Sequence, residues 1–201
     1  MNVFAVLYNK LIYRPLVRYR LHRVGRRFRF GYSSELIHPH LFSIGDNFFT
    51  GPHCYFVTNK FSPVKIGADV MFGPYCKIIG GNHDYTYSKG PLALNVLPRA
   101  EPREIVIENG VWLGTNVVIL TGAHIGEGAI IGAMGLVNHF VPPYTIAVGV
   151  PARRFFSRFA NDADLEELLR NASSQYTVKR IRQIQNEYAV QGAKANKLNG
   201  S

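Results

Sequence analysis

The stretch 107–141, IENGVWLGTNVVILTGAHIGEGAIIGAMGLVNHFV, decides the fold of this 201-residue chain. Ile107, Leu113, Ile119, Ile125, Ile131 and Val137 stand six residues apart, and four residues after each comes Val111, Val117, Ala123, Ala129, Gly135 or Val141. Side chains return to the same side every 3.6 residues in a helix and every 2 in a strand, so a sustained sixfold period implies short strands with a turn after each. The spacing therefore predicts a β-helix. Each turn points one large aliphatic inward with a small residue beside it. A glycine follows the aliphatic at Gly114, Gly126 and Gly132, and Glu108, Leu120 and Asn138 break only that position.

The same rule holds earlier in the chain for Ile44-Gly45 with Phe48, Ile66-Gly67 with Val70, and Phe72-Gly73 with Cys76 ahead of Ile78; Thr50-Gly51 with Cys54 is a weaker instance. The register is lost between Cys54 and Ile66, which a solenoid tolerates because loops leave its coils without disturbing the stack. A longer interruption covers residues 82–103. Loops of that length are uncommon in compact domains and are usually functional or disordered. Placed between two well-formed stretches of repeat, this one reads as functional.

Length and a hydrophobic fraction of 47% suit one domain with a continuous core. The division expected is a basic amphipathic helical segment over 1–31, the β-helix over 32–156, two helices within 157–190 and a polar tail over 191–201. Residues 1–31 carry Lys10, Arg14, Arg18, Arg20, Arg23, Arg26, Arg27 and Arg29 with no acid, and so hold most of the net charge of +10. Phe4, Leu7, Leu11, Ile12, Leu16 and Tyr19 fit an amphipathic helix better than a nucleic-acid-binding arm. Such a helix either lies on an anionic membrane surface or packs on the β-helix as a solvated end, and the sequence leaves both readings open. It does not read as a secretory signal, since Lys10 and Arg14 interrupt the apolar stretch and no small-residue cleavage site follows. No apolar run approaches the roughly 18 residues of a spanning helix, so the expected place is the cytoplasm, at most peripheral to a membrane's inner face.

Cys54 and Cys76 fall at small inward positions and read as buried, reduced thiols. Asn161 to Arg170 reads as a short helix, capped by Asn161 or Asp162, with Leu165, Leu168 and Leu169 on one face. Val178, Ile181, Ile184 and Tyr188 mark a second.

With these residues in view, the chain resembles the hexapeptide-repeat acyltransferases, in particular the sugar and xenobiotic O-acetyltransferase branch. The resemblance covers roughly Phe42 to Arg170. It is carried by the repeats together with Gly81-Asn82-His83-Asp84, Val111-Trp112-Leu113-Gly114, Ile131-Gly132-Ala133 and Gly149-Val150-Pro151-Ala152-Arg153. It implies an all-β, left-handed parallel β-helix with three hexapeptides per coil, short terminal helices, and a homotrimer with active sites between neighbouring prisms. It implies transfer of acetyl from acetyl-CoA to a carbohydrate hydroxyl, with no metal. His83 matches the general base, a role that suits a neutral imidazole near physiological pH. Asn82 and Asp84 support it. Trp112, Thr115, Ala133, Asn138, His139 and Arg153 match coenzyme-contacting positions, with the Arg153 guanidinium suited to phosphate.

Two departures stand out. His139 occupies a place where sugar acetyltransferases commonly carry Lys, which makes phosphate contact there weaker or pH-dependent. Gly51 stands where they place an acceptor-binding Asn. Three other readings compete: an N-acetyltransferase of amino-sugar nucleotides or an antibiotic O-acetyltransferase; a zinc carbonic anhydrase, for which the His spacing is wrong since His124 and His139 are fifteen apart; and a trimeric membrane-recruiting scaffold, which has no need of His83, Trp112 and the Pro-Ala-Arg segment together.

Overall fold

Alternation inside each short strand drives the architecture. Ile105 and Ile107 are buried with Val106 only half so, and Val64 and Ile66 are buried on either side of an exposed Lys65. One side of every strand must therefore share an interior. In the computed structural model, which describes residues 3–94 and 103–190, three sheets provide it. The first stacks Arg23–Val24, Phe42–Ile44, Val64–Ile66, Ile105–Ile107, His124–Ile125 and Phe140–Val141. The second stacks Phe49–Thr50, Met71–Phe72, Trp112–Leu113, Ile130–Ile131, Thr145–Val148 and Arg154–Ser157. The third stacks Glu35–Ile37, Tyr55–Val57, Lys77–Ile79, Val118–Leu120 and Leu136–Val137.

From Glu35–Ile37 to Ile130–Ile131, each strand pairs in parallel with the strand three further along the chain. Ile107 thus sits against Ile125, Leu113 against Ile131 and Ile119 against Val137, so three hexapeptides make one coil. The fold is a left-handed parallel β-helix of triangular section with helices at both ends. Its inward residues form one continuous buried core, and both cysteines lie in it as free thiols.

The corners explain the glycines. A Cβ on Gly114 would come within 2.7 Å of the Ala133 nitrogen, and one on Gly51 equally close to the Pro74 nitrogen. Successive coils touch backbone to backbone there, which accounts for Gly51 standing where an Asn was expected: a side chain has no room. Three residues after the inward position, Asn47, Asp69 and Asn116 take left-handed backbone, a conformation their short polar side chains tolerate.

Among the described residues, insertions occur at one corner only, between the third sheet and the first. Residues 38–41, 58–63 and 80–104 all leave there, and the 82–103 loop therefore projects from the same edge as the shorter ones. Residues 95–102 of that loop and the 191–201 tail lie outside the described residues.

The helical part of the N-terminus is shorter than expected. α1 (Val3–Tyr8), a π-helical stretch over Asn9–Tyr13 and α2 (Arg14–Arg20) run on from one another, and Arg23–Val24 already pairs with Ser43 and Ile44. The prism thus begins inside the segment assigned to the helix. The reason is legible afterwards: Val24, Phe30 and Leu36 are six apart, with Gly25 and Gly31 following the first two, but aromatics fill places that aliphatics fill elsewhere. Phe28 stacks on Phe48, ring centres 5.5 Å apart.

At the other end, Arg154–Ser157 turns back antiparallel on Thr145–Val148. α3 (Asp162–Asn171) is capped by Asn161, whose side chain accepts from the Asp164 N–H at 2.9 Å, and α4 (Val178–Glu187) follows. Tyr144, Leu165, Leu169 and Ile181 form a second buried cluster under them.

Candidate active site

The long loop is pinned where it leaves the prism and where it returns. The Gly80 N–H donates to the Val57 carbonyl and the Gly81 N–H to Thr121 Oγ1, each at 2.8 Å, while the Arg103 N–H donates to the Phe61 carbonyl at 2.9 Å. Ser62 and Thr121 hydroxyls meet at 3.4 Å beneath it. His83 stands two residues beyond the anchored Gly81 and is exposed, as is Asn82. Asp84 Oδ1 accepts from the Thr86 N–H at 3.0 Å and from its hydroxyl. That is an Asx turn, so the carboxylate shapes the loop that presents His83.

The third sheet is the common border of the remaining candidates save one. Thr115 and Ala133 flank it at the corner shared with the second sheet, both exposed, and Thr115 Oγ1 donates to the Pro74 carbonyl at 3.0 Å. Asn138 and His139 flank it at the loop corner. His139 Nε2 lies 3.2 Å from the Ala152 carbonyl and Nδ1 lies 3.1 Å from Asn138 Oδ1. Burial, and after it the positive charge of Arg153, holds the His139 pKa below its ordinary value. The ring is therefore neutral near pH 7 and does not replace a lysine as a cation. Arg153 remains exposed beside it.

Trp112 is the exception. It is exposed on the second sheet, between Met71 and Ile130 of the adjoining coils. In a triangular prism that face lies opposite the loop corner, so one protomer does not bring Trp112 and His83 together.

Two groups of side chains come together only in the fold. Along the Thr115–Ala133 corner, toward the N-terminal coils, His53 stacks on Tyr75 with centres 5.0 Å apart and meets Tyr32 edge-on at 5.4 Å. Only coil stacking puts aromatic rings on both sides of His53. Secondly, Glu108 Oε1 lies 2.7 Å from His124 Nε2, and its Oε2 accepts from the Glu127 N–H at 2.9 Å and the Tyr176 hydroxyl at 3.2 Å. Burial raises the Glu108 pKa, and the hydrogen bonds and charge of these partners outweigh it, for a net depression. Burial, then the Glu108 charge, pushes the Tyr176 phenol up to about 12. Glu108, which broke the glycine rule of the repeat, is thus a clamp between the prism and the C-terminal helices.

Comparison with known proteins agrees with this geometry. The family model "Bacterial transferase hexapeptide (six repeats)" matches residues 104–139. A putative acetyltransferase of Schizosaccharomyces pombe is 33% identical over 147 residues, 69% of this chain and 67% of that protein. A galactoside O-acetyltransferase of Lactococcus lactis is 32% identical over 105 residues, covering 51% of this chain and 46% of the relative, so the match spans about half of that protein's length. Among solved structures, a hexapeptide-repeat-containing acetyltransferase from Vibrio cholerae O1 biovar eltor, complexed with acetyl coenzyme A, superposes with a TM-score of 0.63 at 26% identity, over 75% of this chain and 80% of that one. Repeat, prism, interrupting loop and relatives agree, and the chain belongs to the hexapeptide-repeat acyltransferase family.

Proposed function

We propose that the protein is an acetyltransferase that moves acetyl from acetyl-CoA to a carbohydrate hydroxyl, with His83 as general base. The observation that carries the reading is the anchored loop: the prism fixes Gly81 and Arg103, and between them an accessible imidazole stands beside an open face bordered by Thr115, Ala133, Asn138, His139 and Arg153. In the reaction His83 accepts the acceptor's hydroxyl proton as its oxygen attacks the thioester carbonyl. The C–S bond then breaks, and the proton passes to the departing thiolate. Asn82 and Asp84 hold the loop. Arg153 is the cation for the coenzyme's phosphates, since His139 is neutral.

Placement of Trp112 on the face opposite the loop supports a homotrimer in which one prism contributes the loop and its neighbour contributes Trp112. The Tyr32–His53–Tyr75 ladder supports a carbohydrate acceptor, because aromatic faces carry negative potential that suits the C–H side of a sugar ring. Peripheral contact of residues 1–30 with an anionic membrane belongs to the same reading and places the enzyme near lipid-linked glycans.

The test is acetyl-CoA-dependent thiol release across free glycans, nucleotide sugars and lipid-linked saccharides. His83→Ala is expected to lower release roughly 10²–10⁴-fold with its fold intact. Equal release by parent and variant would remove His83 from the mechanism, and release only with amine acceptors would replace the hydroxyl.

A further inference from the structure

The N-terminal helix does two things with two faces. Asn9, Tyr13, Val17 and Leu21 turn toward the prism, each four residues after the last. An α-helix with 3.6 residues per turn drifts off such a period, and the π-helical stretch Asn9–Tyr13 widens the turn enough to keep it. This inner face closes the first coil. Arg14 donates to the Phe28 carbonyl at 2.8 Å, Asn9 to the Gly31 carbonyl at 3.4 Å, and the Tyr13 hydroxyl accepts from the Leu36 N–H at 3.0 Å. These backbone groups lie on the first coil, the end of the stack, where a solenoid needs a cap.

The outer face carries Phe4, Leu7, Tyr8, Leu11, Ile12, Leu16 and Tyr19, all at least 47% exposed, with Phe4 at 81% and Tyr19 at 88%. Lys10 and Arg18 are exposed on the same helical run. A contiguous apolar stripe of this kind is uncommon on the surface of a single chain and marks an interaction site.

We infer that the membrane contact proposed above, on which this inference rests, is made by insertion of this stripe into an anionic surface, so that the protein docks end-on: the first coil faces the lipid and the prism axis stands away from it. Charge favours lipid over a second copy of the chain as the occupant. Residues 1–31 hold eight basic side chains and no acid, and the remaining residues hold 15 basic against 13 acidic, with 23 and 13 in the whole chain. Two such ends repel one another, and the rest of the chain offers little net negative charge to receive them. Anionic headgroups neutralise the flank while acyl chains take up the stripe. Among the described residues no helix is long and apolar enough to cross a membrane, which fits a helix lying in the interface.

The experiment is co-sedimentation of the full chain with phosphatidylglycerol/phosphatidylcholine vesicles and with phosphatidylcholine alone. Binding is expected only to the first, decreasing with salt. Leu7→Ser/Leu11→Ser is expected to weaken it on the order of tenfold or more, and Lys10→Glu/Arg18→Glu on the order of tenfold. Arg14 is left intact because it holds the Phe28 carbonyl. Phe4→Trp is expected to give blue-shifted emission on vesicles while Trp112, the one native Trp, keeps its own; a shift of Trp112 instead would replace end-on docking by side-on. No binding to phosphatidylglycerol vesicles, or binding unchanged in Leu7→Ser/Leu11→Ser, would overturn the inference. So would a smaller solution mass of that variant, which would assign the stripe to contact between copies. Turnover of a soluble acceptor by the same variants stays at the parent level, so failure here is distinct from failure of the catalytic reading.

Discussion

At the N-terminal end of the prism a helix turns its apolar residues outward, whereas at the C-terminal end two helices turn theirs inward. Leu165 and Ile181 are fully buried in α3 and α4, while Phe4, Leu11 and Tyr19 are among the most exposed large hydrophobic side chains of the described residues. Both ends close a stack of coils. The C-terminal end does so with apolar packing reinforced by Gln185, which donates to the Pro143 and Tyr144 carbonyls at 3.0 and 3.2 Å. The N-terminal end relies on the hydrogen bonds of Arg14, Asn9 and Tyr13 together with Val17 and Leu21. Capping a solenoid therefore requires satisfied edge groups and some apolar cover, but it leaves free what the cap's other face does.

Substitutions at the two ends sharpen that contrast. The largest effect is expected at the C-terminal end: Ile181→Ala should cost about 2–5 kcal/mol in chemical denaturation, because a buried aliphatic is removed from a closed cluster. Loss within experimental error would show that α4 is not part of the cooperative unit. Tyr13→Phe removes the acceptor from the buried-side Leu36 N–H and should cost about 1–3 kcal/mol; a neutral result would mean that water serves that edge as well.

A smaller effect separates the ends by pH. The depressed His139 pKa means that the unfolded chain binds a proton, as pH falls below about 6.5, before the folded chain does. Stability contributed by the neutral ring is full above that value and is lost as pH falls toward the folded-state value. His139→Gln should flatten this part of the melting-temperature profile between neutral and mildly acid pH, and an unchanged profile would point to other groups. The smallest effect is expected for Leu11→Ser, within about 0.5 kcal/mol, since an exposed side chain contributes little to folding. A loss as large as that of Ile181→Ala would show the stripe to be covered by protein in solution.

The legibility of the chain follows from the same physics. The coils from Ile107 to Val141 could be read directly because each inward place holds an aliphatic and each companion a small residue. The first coil was missed because Phe28 and Phe30 fill places that follow the same spacing with different chemistry. α3 and its Asn161 cap were readable from local signals. The loop at 82–103 and His83 were readable as an interruption of a period, and Trp112 and Arg153 as members of family motifs.

What those residues share in space was not readable. Six-residue periodicity by itself determines coils, core and the places where the chain departs from them, since inward burial repeats with the strand-and-turn unit. Only the stacked prism decided the rest. It gathered the insertions at one corner, set Thr115, Ala133, Asn138 and His139 along a common face, and put Trp112 on the face opposite the loop. It surrounded His53 with Tyr32 and Tyr75, tied Glu108 to His124 and Tyr176, and turned the N-terminal helix so that Arg14, Asn9 and Tyr13 close the first coil while Leu7, Leu11 and Leu16 face out. Each of these depends on coil-to-coil register and on rotation of an element about its own axis, quantities set by contacts between residues far apart in the chain.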